Sequence, residues 1–169
     1  MAGVSATLEV GVKAKQTGAA DLGTPNILVD VAKSMEFTPG TAAVGQANVL
    51  FSDTRTLAAS ASEDLDLAGV LADALGATIA AAEVVAILIA AASGNTNDVQ
   101  VTRPAANGVP IFLAAGDGLA LGPGDFVLLT NRKGVAVTAG TGDLVHVANG
   151  GAGTSVDYDI VIIGRTVAA

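Results

Sequence analysis

From residue 49 to the end of the chain, apolar and polar residues alternate in short runs broken by Gly, Asp and Asn. The last run, "VDYDIVIIG" (156–164), sets Val156, Tyr158, Ile160 and Ile162 on one face and Asp157, Asp159, Val161 and Ile163 on the other. In "EDLDLAG" (63–69) Leu65 and Leu67 alternate with Asp64 and Asp66, and "DVQVTR" (98–103) turns Val99 and Val101 inward. A period of two places alternate side chains on opposite faces of a strand. The same reading makes strands of "RTLAAS" (55–60), "FVLLT" (126–130) and "LVHVA" (144–148). Between them, "NRKG" (131–134) and "GTGD" (140–143) read as turns into the next strand, and "DGLALGPGD" (117–125) as a loop turning at Pro123-Gly124. Strands at intervals of roughly 8 to 12 residues, with turn signals between them, predict a sandwich or barrel. No helical stretch separates them in the βαβ manner, although helix competes with strand over residues 68 to 82.

The most apolar stretch, "LADALGATIAAAEVVAILIAAASGNTN" (71–97), resembles a membrane span only in composition. A spanning helix needs about 20 consecutive apolar residues. Glu83 interrupts the run, and an acid at a helix centre costs about 2.5 to 3.5 kcal/mol on insertion. Its second half, "VVAILIAA" (84–91), is β-branched at Val84, Val85, Ile87 and Ile89 and ends at "SGNTN", which predicts a buried central strand. The expectation is therefore no membrane partner. The N-terminus carries no basic segment followed by an apolar one, so no secretory signal is expected.

Residues 1 to 48 read differently. "ATLEVGVKAKQ" (6–16) alternates weakly, "TGAADLGTPN" (17–26) is rich in turn formers, "ILVDVA" (27–32) is a short apolar run, and "FTPGTAAVGQAN" (37–48) reads as a linker. The predicted organisation is an extended N-terminal arm with short strands over 1–48 and an antiparallel, jelly-roll-like β-sandwich over 49–169.

Composition sharpens this picture. Half of the 169 residues are apolar, yet aromatics number only four Phe and one Tyr, against 21 Gly, which suits small strands packed closely together. The net charge is −8, of which residues 1 to 48 contribute −1 and the remainder −7. An acidic body without a Lys/Arg stripe repels phosphate, so no nucleic-acid partner is expected. The chain has no Cys and a single His, His146, which excludes disulfides, thiolate sites and clustered-imidazole zinc sites.

Candidate chemistry adds little. "GTAAVGQA" (40–47) has the glycine spacing of a phosphate loop but lacks the Lys and Ser/Thr that hold phosphate and magnesium. "GDGLALGPGD" (116–125) lacks the dense oxygen spacing of a calcium loop. Glu63, Asp64 and Asp66 are close in sequence, and glycoside hydrolysis needs two carboxyl groups facing one bond; alternation instead makes Asp64 and Asp66 a solvated strand face. His146 has no nucleophile pattern near it and reads as a strand residue. Arg103, Arg132, Lys133 and Arg165 lie near strand ends and read as solvated turn charges. No catalytic, cofactor-binding or metal-ligating residue is assigned, and no enzyme activity or cofactor is expected. Tyr158, the sole Tyr, lies in a strand expected to be half-buried, which leaves little aromatic surface for stacking sugars.

Three stretches carry a resemblance: "FSDTRTLAASASEDLDLAG", "GNTNDVQVTRPAANGVPIF" and "TAGTGDLVHVANGGAGTSVDYDIVIIG". Over residues 49 to 169 the chain resembles small virion structural proteins of tailed bacteriophages and is most similar to capsid decoration (cement) proteins. The resemblance implies a non-enzymatic protein on the outer surface of the capsid, bridging subunits of the major capsid protein and associating with itself, as a homotrimer or another homo-oligomer. The alternative is a tail, head-spike or fibre component of the same virion with a host-glycan-binding role.

Overall fold

The computed structural model describes residues 3 to 169, which form eleven strands and, among the described residues, no helix. Eight strands build the body: β4 (Val49–Leu57), β5 (Ser62–Asp66), β6 (Glu83–Ala91), β7 (Val99–Thr102), β8 (Gly118–Leu121), β9 (Phe126–Ala136), β10 (Leu144–Asn149) and β11 (Val156–Arg165). They form two four-stranded antiparallel sheets, ordered β4-β11-β6-β9 and β5-β10-β7-β8. Successive strands cross from one sheet to the other except at β7–β8, which is the winding of a jelly roll.

The core explains why alternation was readable. Leu65, Val99, Val101, Val145 and Val147 point inward from one sheet and meet Phe51, Ile87, Ile89, Tyr158, Ile160 and Ile162 from the other. Each is almost fully buried, and burying such a side chain stabilises by about 1.5 to 3 kcal/mol. β6 lies between β11 and β9, so the apolar run is a central strand of this sheet. Residues 68 to 82 make no helix. The Asp73 carboxylate accepts the N–H groups of Leu75 and Ala77, both at 2.9 Å, and holds a tight loop closed by the Ala72–Thr78 bridge. Such local side-chain bonds compete with helical ones.

Several boundaries differ from the sequence reading. The strand expected at 55–60 begins earlier, at Val49, and stops at Leu57, where Ala61 N–H bonds Ala58 C=O to turn the chain. β8 lies inside the expected 117–125 loop because Leu119 and Leu121 pair with Val101 and Val99; tertiary pairing outweighs the turn signal of the surrounding glycines. "NRKG" does not reverse the chain. β9 pairs with β6 at Thr130–Ala86 and again at Val135–Val84, so residues 131 to 134 bulge out of a strand that continues. The Asn131 side chain accepts the N–H groups of Lys133 (3.1 Å) and Gly134 (3.2 Å) and forms that bulge. The apolar segment 109–115 is irregular. Its carbonyls at Phe112 and Leu113 accept from the Arg103 guanidinium, at 3.1 and 3.0 Å, instead of from a ladder.

Ahead of the body, β1 (Ala6–Thr17) and β2 (Asn26–Pro39) pair antiparallel along their whole length, and β3 (Gln46–Ala47) pairs parallel with the end of β2. The short strands expected in residues 1 to 48 pair with each other as a two-stranded hairpin, and the second one runs through Pro39, into the segment from residue 37 that reads as a linker.

Candidate functional site

The hairpin has two chemically different faces, set by its register. Pairing of Ala6 with Phe37, Leu8 with Met35, Val10 with Lys33, Val12 with Val31, Ala14 with Val29 and Gln16 with Ile27 gathers an apolar stripe on one side. The other side carries Thr7, Glu9, Lys13, Lys15, Asp30 and Glu36 together with the exposed Leu28, and Lys13 and Asp30 form an exposed ion pair at 3.5 Å. Alternation within each strand thus yields an amphipathic ribbon.

Only the base of the stripe is covered. Phe37, Ala47, Val85, Ala86 and Ile163 form a second buried cluster, with Val4, Ala6, Leu8, Met35 and Val161 packed against it. The hairpin base therefore lies on the outer face of the β4-β11-β6-β9 sheet. Toward β4 that face is polar, where Thr54 Oγ1 donates to Asp159 at 2.6 Å and Thr56 Oγ1 to Asp157 at 2.5 Å. Toward β9 it is apolar. There Leu8 and Val10 flank a groove of about 230 Å³ with Leu88, Phe126, Leu128 and Val161. The Val10–Lys33 rung also shares a cavity with Leu128 and Thr130 of edge strand β9. Beyond that rung the stripe is open to solvent: Val12 is 57 % exposed, Val31 50 % and Ile27 63 %. Phe126 on the sheet is 65 % exposed as well.

The base is locked by a buried ion pair. Arg165, at the end of β11, is fully buried, and its Nε donates to Glu83 Oε2 at 3.0 Å, with Nη2 donating to the same oxygen. The guanidinium also donates to the carbonyls of Ala43 (3.3 Å), Gln46 (3.5 Å) and Lys133, and Ala169 N–H reaches Glu83 Oε2 at 3.1 Å. One cation thus joins the segment after the hairpin, the β9 bulge and β6. Arg165 is not the solvated turn charge its place near a strand end suggested. Arg103 likewise caps the 109–115 segment.

The other residues singled out in the sequence scatter. Glu63 faces the gap between the sheets, where it accepts from Arg55 Nε (2.8 Å) and from the Tyr158 hydroxyl (2.9 Å). Burial first, and then the adjacent Glu63 charge, raise the Tyr158 pKa above the usual phenol value; the Glu63 hydrogen bond raises that of Arg55. Tyr158 is fully buried, deeper than expected. Asp64 faces outward and bonds His146 Nδ1 at 2.7 Å, while Asp66 accepts Ala68 N–H at 2.8 Å. The three carboxylates therefore do not converge on one point. The 40–47 loop turns its Ala43 and Gln46 carbonyls to Arg165, the opposite polarity to a phosphate cradle. Asp117 and Asp125 cap separate turns on either side of β8, bonding Ala114 N–H at 2.8 Å and Gly122 N–H at 3.1 Å. Among the described residues no three His, Cys, Asp or Glu side chains are grouped to hold a metal ion.

Each segment alone shows only part of the stripe: "ATLEVGVKAKQ" sets Leu8, Val10 and Val12 on one face, and "ILVDVA" is a short apolar run. The signal appears only when the two are aligned antiparallel across the turn-rich residues 17 to 26, which brings Val12 opposite Val31. Comparison with family models, with curated proteins and with solved structures gave no match.

Proposed function

We propose that this chain is a non-enzymatic structural protein of a bacteriophage virion that decorates the capsid and stabilises it by bridging neighbouring subunits of the major capsid protein. The observation that carries this reading is the projecting hairpin, a two-stranded ribbon whose open stripe of Val12, Val29, Val31 and Ile27 has no partner among the described residues. Apolar surface of this kind, gathered on one side and flanked by charge, marks a protein contact. A compact body with one sticky arm suits a cement role. Each contact is small, but repetition over a lattice gives avidity far above that of any one of them. The acidic body adds a field that repels nucleic acid and other acidic particles. The resemblance of residues 49 to 169 to phage decoration proteins supplies the choice of a capsid as the lattice, the outer surface as the location and a homo-oligomer as the working form.

The test is depletion and add-back. Particles lacking this protein release their DNA at a lower temperature than complete particles, and adding the purified chain restores the original temperature. Unchanged heat stability on depletion would refute the cement reading and favour a tail, spike or fibre component.

A further inference from the structure

We infer that the open half of the hairpin docks on a second copy of this chain, laying its apolar stripe against the outer face of that copy's β4-β11-β6-β9 sheet beside Phe126, in a head-to-tail arrangement. The inference deepens the assembly reading above and rests on it only for the expectation of self-association. Within one chain, the base of the stripe already packs on this sheet face through Leu8, Met35 and Phe37. The open rungs continue the same stripe with Val12, Val31, Val29 and Ile27. The same sheet face keeps apolar surface uncovered next to the resident hairpin, at Phe126 and at the groove it forms with Leu88 and Leu128. Stripe and face thus have matching chemistry, and each chain holds one of each.

Charge selects arm-to-body over the symmetric alternatives. Lys33 is the one charge on the stripe's rungs, and residues 10 to 33 as a whole carry Lys13, Lys15 and Lys33 against Asp21 and Asp30, a net of +1, whereas residues 49 to 169 carry −7. On the receiving face, Asp159 lies in register with Ala90 and, through it, with Phe126. A body-to-body contact would oppose two strongly acidic surfaces, and an arm-to-arm contact would join two weakly cationic ones. Only arm-to-body joins opposite signs.

Size then determines the assembly. The three rungs from Val12–Val31 to Gln16–Ile27 span a patch about 14 Å long and about 10 Å wide. That is well below the roughly 800 Å² per partner of a standard stable interface. A single arm contact does not hold a dimer. Head-to-tail contacts close a ring in which every copy gives one arm and receives one, so that two contacts hold each copy.

The native chain has no Cys, which permits a direct test. A protein carrying only Val31→Cys is mixed with one carrying only Phe126→Cys and oxidised mildly. Mixed Val31→Cys to Phe126→Cys dimers should dominate over both homodimers. In sedimentation of the full chain, Val12→Asp with Val31→Asp should reduce a multimer to monomer mass while the thermal unfolding of the body stays unchanged. Dominant Val31→Cys homodimers would overturn the arrangement in favour of arm-to-arm pairing. A wild-type chain that stays monomeric at high concentration and gives no cross-link would overturn self-association, while leaving a monomeric decoration protein open to the depletion test.

Discussion

Arg165 and Glu83 are 82 positions apart in sequence and meet in a buried ion pair, with Arg165 Nε donating to Glu83 Oε2 at 3.0 Å. Burying two charges is justified here by the number of groups they satisfy. The guanidinium bonds three backbone carbonyls besides the carboxylate, and these come from the 43–46 segment and the β9 bulge. Removing one partner of a buried pair leaves the other uncompensated, at about 3 to 5 kcal/mol. Arg165→Met should lose stability on this scale in urea denaturation. Adding Glu83→Gln to it should recover part of the loss, because the orphaned carboxylate is then gone. Equal stability for the single and the double variant would show that the charge pair is not what holds the junction.

Gly134 sits inside this junction at φ +103°. A Cβ there would lie 2.7 Å from Glu83 Oε2 and 2.8 Å from Arg165 Nη2. Gly134→Ala should therefore cost more than about 1 kcal/mol, through backbone strain and displacement of the ion pair together. The melting temperature checks this, with Gly140→Ala as a comparison: it also has positive φ, at +74°, but no atom near the new Cβ. The Gly134 substitution should lower the melting temperature more.

Tyr158 supplies an alkaline signature. Its pKa is raised in the folded chain, mainly by burial and then by the Glu63 charge, so the folded state holds the phenol proton after the unfolded state releases it. The resulting stability is present in full below the unfolded value near pH 10 and falls as pH rises above it. The slope for one proton is about 1.4 kcal/mol per pH unit. As Tyr158 is the sole tyrosine, tyrosinate absorbance reports this group alone. It should stay absent past pH 10 and rise together with unfolding, and Tyr158→Phe should flatten the decline of stability above pH 10. A tyrosinate signal with an ordinary midpoint in the still-folded protein would contradict the burial argument.

Shortening the hairpin separates folding from assembly. Joining Gly11 to Ala32 through Asn-Gly, a favoured two-residue hairpin connection, removes the open rungs and retains Leu8, Met35 and Phe37 on the sheet. The body should keep its unfolding free energy within about 1 kcal/mol, since the removed side chains are exposed. Self-association should be lost, and with it the avidity of binding to particles. Denaturation and a pelleting assay measure the two effects separately.

Strand periodicity made the jelly roll legible where one face of a strand meets the core, as at Leu65, Val99, Val101 and the Val156 to Ile162 series. It failed where backbone chemistry looks alike in different settings. Asn131 and Gly134 serve a bulge as well as they would serve a hairpin turn, and β8 owes its existence to pairing with β7 instead of to its own residues. The Arg165–Glu83 lock left no local trace, because neither charge is near the other in sequence. The one available clue was Glu83 itself, an acid inside the most apolar run of the chain, since a buried charge requires a partner.

The most direct test of the central claim is the copy number of this chain in purified virions, counted by quantitative mass spectrometry against the most abundant shell protein. A decoration protein predicts a ratio of one to one or one to a small integer. A handful of copies per particle, or none, would contradict it.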